Sequence, residues 1–331
     1  MPHAPALRPV KAALLLIGAT VLWAASFILT KALGDAQRAQ DPQAGTWLLS
    51  SLSLALRFGG ATVVAGLWQA RRLGKTTRSE MWQGVGLGVF GGVGIVFQMD
   101  GVMHTAASTC AFLTQCYCIF IPLFLVWRHR RWPAKPLAAG CVMVMAGVAI
   151  LSHVDWTEFR LGRGEAETII SSIFFTAQIL WLERETYAGN DSGRMSAVMF
   201  AATALVILPV VIASGGTWRE GVRLYEARGA LGIILFLTLG STVAAYGIMN
   251  AWQRHVGATE AGLIYGCEPL FTAILALFAP AMLAQWTGVA YPNEHISARL
   301  LVGGGLIMAA NVTVLASKAL AGGDNNGTAG C

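Results

Sequence analysis

Charged side chains are scarce in this chain of 331 residues: Asp, Glu, Lys and Arg make up 12% of it, against about 25% in a soluble domain. Hydrophobic residues account for 55%, and apolar runs recur from one end of the sequence to the other. This composition excludes an ordinary soluble fold and predicts a single polytopic membrane domain. The net charge of +6 does not indicate nucleic-acid binding, because the basic residues lie in short segments between apolar runs, where they orient membrane spans.

Motifs of enzymes and metal centres are missing as well. The sequence contains no His-Glu-x-x-His, no Gly-x-Ser-x-Gly and no paired membrane aspartates. Five of the six cysteines fall inside apolar runs, where cysteine usually behaves as a small hydrophobe, and their spacing does not suit zinc. The pairs Asp100–His104 and His153–Asp155 lie at predicted span ends and do not form a clustered catalytic set. We therefore expect no enzyme activity, no metal and no cofactor.

Apolar runs of about 20 residues can cross a bilayer as helices, and the sequence contains ten such runs. The links between them are short, and no soluble domain interrupts them. Residues 1–11 and 318–331 are predicted to be tails, and the second tail is predicted to be disordered. The predicted spans are residues 12–32, 46–68, 82–99, 103–127, 134–151, 166–184, 195–213, 229–250, 256–279 and 297–317.

Basic residues in the links predict the orientation, since cytoplasmic loops carry an excess of Lys and Arg. With the N-terminus in the cytoplasm, the cytoplasmic side holds the basic clusters within residues 71–78 and 128–135. The bias is strong in the first half of the chain and weak in the second. Both termini are therefore predicted to be cytoplasmic.

A weak internal repeat divides the chain into two halves of five spans each. A shift of 151 residues places His104-Thr-Ala-Ala-Ser-Thr on His255-Val-Gly-Ala-Thr-Glu, and Tyr117 on Glu268. Because five is an odd number, the second half must enter the membrane upside down. Inverted repeats with a binding site between the halves, near the midplane, are a recurring design of transporters. The predicted halves are residues 12–151 and 166–317, with an insertion around residues 280–293.

The ninth span contains the pair Glu268-Pro269. A carboxylate inside hydrocarbon is costly, so its default interpretation is functional; the alternative is that Glu268 pairs with another buried polar group and only holds helices together. Pro269 removes a backbone donor and crowds the carbonyl of Tyr265, which predicts a kink and a hinge. The matching positions of the first half, Tyr117-Cys118, are predicted to have neither a charge nor a break.

The third span carries a ladder of glycines, Gly84, Gly88 and Gly92. No soluble strand precedes the ladder, and no acidic residue follows in the place that a dinucleotide site requires, so such a site is rejected. Glycines at this spacing allow a neighbouring helix to approach closely. We therefore expect tight helix packing along this span.

Polar and aromatic side chains share faces on several of the predicted helices. In the ninth span, Ala261, Tyr265, Glu268 and Thr272 follow the spacing i, i+4, i+7, i+11. Together these faces predict a central cavity with aromatic walls and few hydrogen-bonding groups, as ligand sites usually have; the alternative is ordinary packing or lipid contact. The predicted substrate-binding residues are Trp23, Ser26, Phe27, Arg57, Gln115, Tyr117, Gln178, Tyr246, Asn250, Tyr265 and Glu268.

Arg57 is the second charge buried within a span. Its guanidinium stays charged and can bind a carboxylate through two hydrogen bonds. Arg57 is therefore a candidate for binding a substrate carboxylate or for pairing with Glu268, and the sequence does not decide between these roles. The carboxyl of Glu268 is also a candidate for carrying a proton in exchange for substrate.

Short segments in four of the spans carry a resemblance to known proteins. They are Leu22-Trp-Ala-Ala-Ser-Phe27, Leu56-Arg-Phe58, Thr105-Ala-Ala-Ser-Thr-Cys-Ala-Phe-Leu113, and Ala258-Thr-Glu-Ala-Gly262 with Glu268-Pro269. Together with the ten spans and the repeat, they resemble the EamA family of the drug/metabolite transporter superfamily over residues 12–317. One departure is the absence of a short Leu-Gly-Glu turn after the ninth span, for which Glu294 is the candidate replacement, displaced by the insertion.

The resemblance implies an all-α secondary transporter of ten helices, built as two inverted five-helix repeats, in the cytoplasmic (inner) membrane of a bacterium. It implies export of small metabolites, such as amino acids or related amphipathic compounds, by alternating access. The expected partners are a small-molecule substrate, the lipid bilayer and protons as a candidate coupling ion; a homodimer is left open. The alternatives are a passive channel or a structural membrane subunit, and after these an intramembrane enzyme.

Overall fold

The fold is a bundle of helices joined by short turns, and the computed structural model describes residues 7–104, 107–130, 132, 134–151, 162–215, 217–293 and 295–324. No strand occurs among these residues. The helices of the first half are α1 Leu7–Gln40, α2 Thr46–Leu73, α3 Arg78–His104, α4 Ala107–Thr114, α5 Tyr117–His129 and α6 Lys135–Leu151. Those of the second half are α7 Arg163–Leu182, α8 Ser192–Ala213, α9 Trp218–Tyr225, α10 Ala230–Phe236, α11 Ala245–Trp252, α12 Ala258–Tyr265, α13 Glu268–Ala276, α14 Ala279–Thr287 and α15 Ala298–Asp324, with a π-helix at Leu237–Ala244 between α10 and α11.

Each predicted span coincides with helical structure, and an all-helical membrane fold is confirmed. Shorter apolar helices accompany the long ones, and the pair α12–α13 with α14 is bent by 64°. Not every predicted span contains a helix that is long and apolar enough to cross a membrane by itself, so the number of ten spans stays a prediction. Among the described residues, the helices long and apolar enough to cross a membrane are Pro9–Gln40, Thr46–Leu73, Arg78–His104, Ser192–Ala213 and Ala230–His255.

The C-terminal tail begins later than predicted. Helix α15 continues to Asp324, so the expectation of disorder from residue 318 is wrong over the first part of that tail. The reason is local: Ala, Lys and Leu between residues 316 and 321 are strong helix formers that prolong the last turns of α15. Residues 1–6 and 325–331 lie outside the described part of the chain, as do His153, Asp155 and Glu294.

Two helices are interrupted at equivalent points of the predicted repeat. One break separates α4 from α5 at Gln115 and Cys116, and the other separates α12 from α13 at Gly266 and Cys267, a shift of 151 residues. The expectation that the first half has no break is therefore wrong. Both interruptions are closed by tight i→i+3 hydrogen bonds, from the Cys116 N–H to the Leu113 carbonyl and from the Cys267 N–H to the Ile264 carbonyl, both at 3.1 Å. No proline or glycine marks the first break, which is why the sequence did not indicate it.

Pro269 lies just after the second break, in the first turn of α13. Proline suits this position, because the first N–H groups of a helix have no partner within the helix. The sequence predicted that the proline ring would crowd the Tyr265 carbonyl within a continuous helix. Helix α12 has already ended at Tyr265, so the ring causes no such strain. The predicted break is confirmed, and movement at this point stays a prediction.

Glycines on α3 allow two helices to pack closely against adjoining faces of it, and the sequence predicted one of these contacts. A Cβ at Gly88 would lie 2.5 Å from the Ala202 Cβ and 2.7 Å from the Met199 carbonyl oxygen of α8. On the adjoining face, a Cβ at Gly91 would collide with the amide of Gln178 on α7. Helix α3 is therefore held between α7 and α8 at distances that only glycine permits.

Contacts between the predicted halves come in matched pairs. Helix α3 packs against α7, while the π-helix and α11 pack against α1; the repeat relates these contacts, since it superposes the third span on the eighth and the first on the sixth. Helix α3 also packs against α8, as the π-helix does against α2. The repeat exchanges α2 with α8 and α6 with α15, so it maps each of the contacts α2–α8 and α6–α15 onto itself. An inverted repeat would produce this pattern, and the repeat itself stays a prediction.

Buried or partly buried ion pairs lie at the ends of α3. At its start, Glu80 is 2% exposed and accepts two hydrogen bonds from the guanidinium of Arg194 on α8. At its end, Asp100 pairs with Arg163 of α7 and lies 3.3 Å from the ring of His104. Helix α3 of the first half is thus joined to the second half at both ends by charge-assisted hydrogen bonds.

We expect Gly88→Ala to lower the thermal unfolding midpoint of the purified protein in detergent. The added methyl would meet the backbone and side chains of α8, and overpacking of this kind costs about 1–3 kcal/mol. Gly59→Ala is the matched control, because nothing lies within 4 Å of a Cβ there and alanine is the better helix former by about 0.5–1 kcal/mol. Equal midpoints for the two variants would contradict the close packing of α3 against α8.

Candidate functional site

A cavity of about 70 Å³ lies at the centre of the bundle, where helices of seven predicted spans converge. Both predicted halves contribute, and the two helix breaks deliver side chains to it. The volume suffices for a few water molecules and is well below the roughly 300–1,000 Å³ of most ligand pockets. The cavity is lined by Trp23, Ser26, Phe27, Arg57, Ile95, Gln98, Met99, Thr114, Tyr117, Phe175, Gln178, Ile179, Tyr246, Met249, Tyr265 and Glu268.

Nine of the eleven predicted substrate-binding residues line this cavity, although they are spread over more than 240 positions of the sequence. Gln115 and Asn250 do not. Gln115 is completely buried at the turn between α4 and α5, near the Glu268 carboxyl. Asn250 donates to the Ser196 hydroxyl at 2.9 Å and so ties α11 to α8. The structure thus brings the predicted set together, and its role in binding stays a prediction.

Aromatic rings form one wall of the cavity. The ring of Trp23 lies 5.2 Å from that of Tyr246 and 5.3 Å from that of Tyr265, both in tilted or edge contacts. Phe58 supports Tyr246 from behind at 6.0 Å. Edge contacts of this kind are favourable for aromatic pairs, so the mutual packing of these inclined rings stabilises the wall.

Arg57 supplies the positive charge of the cavity and is 2% exposed. Its Nε donates to the Thr242 hydroxyl at 3.2 Å. Among the described residues it forms no ion pair with Glu268 or with any other acidic side chain. Of the two roles that the sequence left open, direct pairing with Glu268 is therefore not the one adopted in this structure.

Glu268 supplies the negative charge and is 9% exposed. It is the first residue of α13, immediately after the break. A helix N-terminus carries unpaired N–H groups and a partial positive charge, which stabilise a carboxylate there. The break also brings the side chain of Gln115 near the Glu268 carboxyl, which has no basic partner among the described residues.

Amide side chains connect the cavity to its surroundings. The Tyr265 hydroxyl donates to Gln253 at 2.9 Å, and Gln253 donates in turn to the Ile179 carbonyl and to Glu183, each at 3.1 Å. Gln253 is completely buried. It therefore links α7, α11 and α12 at the end of the cavity that is predicted to face the cytoplasm.

Sequence reasoning missed the contribution of α3 to the cavity. Ile95, Gln98 and Met99 line it, and Gln98 donates to the Thr114 hydroxyl at 3.1 Å. The glycine ladder had been interpreted as a packing device only. The signal that was available is Gln98 itself, an amide in an otherwise apolar, glycine-rich run.

The pair Asp100–His104, considered above for catalysis, does not line the cavity. Arg163 contacts Asp100 and also donates to Glu167 at 2.8 Å. The guanidinium of Arg163 lies over the ring of Trp47, 5.6 Å from its centroid. The pair is thus part of an ion cluster that joins α3 to α7.

Comparisons with known proteins agree with this architecture. An uncharacterised transporter of Archaeoglobus fulgidus is 25% identical over 277 residues, which are 81% of this chain and 89% of the relative. A second uncharacterised transporter of the same organism is 22% identical over 220 residues, 66% of each chain. A protein of known crystal structure superposes with a TM-score of 0.67 over 94% of this chain and 99% of its own, at 18% identity, which shows a shared fold alone.

A match to a known family lies in the first half of the chain, which contributes Trp23, Arg57 and Tyr117 to the cavity. Residues 10–153 match the EamA-like transporter family. The resemblance drawn from short segments of the sequence is thereby confirmed over the first half of the chain, and the protein is an integral membrane protein that is similar to this family there.

Proposed function

We propose that the protein is a secondary transporter that exports a small amphipathic metabolite, such as an amino acid, through the central cavity by alternating access. The observation that carries this proposal is the lining of the cavity: one guanidinium, one carboxylate and an aromatic wall, contributed by both predicted halves. The direction of transport rests on the family resemblance.

The charges of the cavity favour a zwitterionic substrate. Arg57 is suited to a carboxylate and Glu268 to an ammonium group, while the wall around Trp23 is suited to an apolar side chain. Arg57 and Glu268 do not pair with each other, and a substrate with both charges would supply each of them with a partner. An uncharged apolar compound would leave both buried charges without partners, which is expensive.

The size and position of the cavity support the proposal of alternating access. At about 70 Å³ the cavity must widen for an amino acid to enter. The contacts of Gln253 with Ile179 and Tyr265 close one end, and the ion cluster around Arg163 joins helices at the other end of α3. In the proposed cycle these two sets of contacts open in turn.

The proposal is tested by uptake into proteoliposomes, after a ligand-stabilisation screen of the purified protein with amino acids, drugs and nucleotide sugars. We expect saturable uptake of an amino acid that is accelerated when the same compound is loaded inside. Linear, non-saturable flux would indicate a passive channel instead. Absence of flux with every stabilising compound would contradict a transport role.

We expect Arg57→Ala and Glu268→Gln each to reduce counter-flow of the amino acid by about tenfold or more, because a hydrogen bond to a charged group is worth about 1.5–3 kcal/mol. Glu260→Gln is the matched control. It makes the same chemical change on the neighbouring helix α12, where the Glu260 carboxylate accepts a hydrogen bond from the Gly257 N–H at the helix start, and we expect it to transport normally. Wild-type rates for both Arg57→Ala and Glu268→Gln, with normal membrane insertion, would contradict the proposed site.

We also expect an imposed pH gradient to change the transport rate of the wild-type protein, since Glu268 is the one acidic side chain among the described residues that lines the cavity and is the candidate proton carrier. The residual exchange of Glu268→Gln should not respond to the gradient, because a glutamine cannot take up a proton. Arg57→Lys is the control, since it keeps both the positive charge and Glu268 and should keep the response. A wild-type rate that is independent of the gradient would contradict proton coupling.

Proton exchange at this site makes the cycle electrogenic. With a zwitterion bound and Glu268 ionised, the charges of Arg57, Glu268 and substrate sum to zero, whereas the empty, protonated site carries one positive charge. Moving that charge across the membrane is worth about 2.3 kcal/mol per 100 mV. We expect an inward positive current during export on a solid-supported membrane, and silent, electroneutral exchange would contradict this cycle.

A further inference from the structure

The hydroxyl of Thr242 contacts Arg57 from the other half of the chain. Thr242 is completely buried and lies in the π-helix. Its oxygen accepts a hydrogen bond from Arg57 Nε at 3.2 Å and donates one to the Leu237 carbonyl at 2.9 Å. Because the proton of the hydroxyl is engaged by Leu237, its lone pairs remain to receive the guanidinium.

The π-helix determines this arrangement. Thr242 donates to the carbonyl five residues earlier, whereas Thr238, at the start of the same segment, donates to Ile234 four residues earlier, as threonine does in an α-helix. The extra residue in a π-turn also rotates everything beyond it by about 100° relative to a continuous α-helix. Tyr246, which follows, thereby reaches the cavity wall. Isolated π-turns occur frequently at functional sites.

A second hydroxyl fixes the π-helix in place. Ser241 donates to the Leu22 carbonyl of α1 at 2.7 Å, one residue before Trp23 of the aromatic wall. The π-helix is therefore held against α1 by Ser241 and against α2 by Thr242. Its position is defined independently of any ligand.

We propose that Thr242 is the positioning residue for Arg57 and thereby determines the specificity of the site for a carboxylate. This inference rests on the proposed function, whose substrate group it specifies. Nε is the one guanidinium nitrogen of Arg57 that has a hydrogen-bond acceptor among the described residues. With Nε held by Thr242, the two terminal nitrogens are presented together to the cavity, and this pair of donors matches the two oxygens of a carboxylate.

The contact is tested first without any ligand, by NMR of protein labelled with ¹⁵N-arginine in detergent micelles. The Nε–H signal of Arg57 is assigned from its loss in Arg57→Lys. We expect Thr242→Val, which keeps the shape but removes the hydroxyl, to shift that signal or to speed its exchange with water. Thr242→Ser should restore the wild-type signal. An Arg57 signal that Thr242→Val leaves unchanged would overturn the positioning role, whether or not a substrate is known.

Specificity is tested with pairs of probes that differ only at the carboxyl: L-leucine, L-phenylalanine and L-tryptophan, each against its carboxamide. We expect Thr242→Val to weaken binding of the bound acid by about tenfold to a hundredfold, as loss of a hydrogen bond to a charged group would, and to leave binding of the amide unchanged. Thr238→Val is the matched control, since it removes a hydroxyl from the same π-helix without touching Arg57, and it should bind both probes normally.

The outcomes distinguish failure of the role of Thr242 from failure of the proposed substrate class. Equal losses for acid and amide in Thr242→Val, or equal effects of Thr242→Val and Thr238→Val, would overturn the specificity role and assign Thr242 to helix stability. A wild-type protein that binds acid and amide alike would overturn carboxylate recognition, and with it the proposed substrate class, while a shifted Arg57 signal would still establish the contact.

Discussion

Two opposite charges are buried in this bundle without pairing with each other, and the organisation of the site depends on this constraint. Charges in the membrane interior are costly unless they are stabilised. Arg57 is stabilised by the Thr242 hydroxyl, and Glu268 by the N-terminus of α13, which the helix break creates. Each charge therefore has a neutral partner that supports it without neutralising it. The protein thus holds a cation and an ionisable carboxyl in a small cavity without pairing them with each other.

The helix breaks are possible because they lie at the centre of the bundle. Within a bilayer, irregular backbone is tolerated only where protein or a water-filled cavity surrounds it. Gln115 and Cys267 at the breaks are at most 2% exposed, and Asn311 of α15 donates to the Leu263 carbonyl near the end of α12 at 3.2 Å. The same positions thus interrupt the helices, satisfy the backbone locally and direct Tyr117 and Glu268 into the cavity.

Sequence reasoning located the helical regions and most residues that line the cavity, because both depend on the pattern of apolar and polar residues. Apolar runs define the spans, and side chains that share a face on an ideal helix, such as Tyr265 and Glu268, remain neighbours after folding. What could not be predicted depends on departures from the ideal helix. The break at Gln115 and Cys116 has no proline or glycine to indicate it, and the π-helix that carries Thr242 has no sequence signature. Gln98 was overlooked because the glycines around it had a sufficient explanation in packing.

The position of the charges connects recognition to conformational change. Arg57 lies on α2 of the first predicted half, whereas Thr242 and Glu268 belong to the second, so a zwitterion bound to both charges would bridge the halves. A ligand shifts a conformational equilibrium only by the difference in its affinity for the two states. A bridge between halves that move relative to each other has such a difference, because its two ends are at the right separation in some states and not in others. The predicted repeat matches Glu268 to Tyr117 in the first half, so such a bridge would have one orientation.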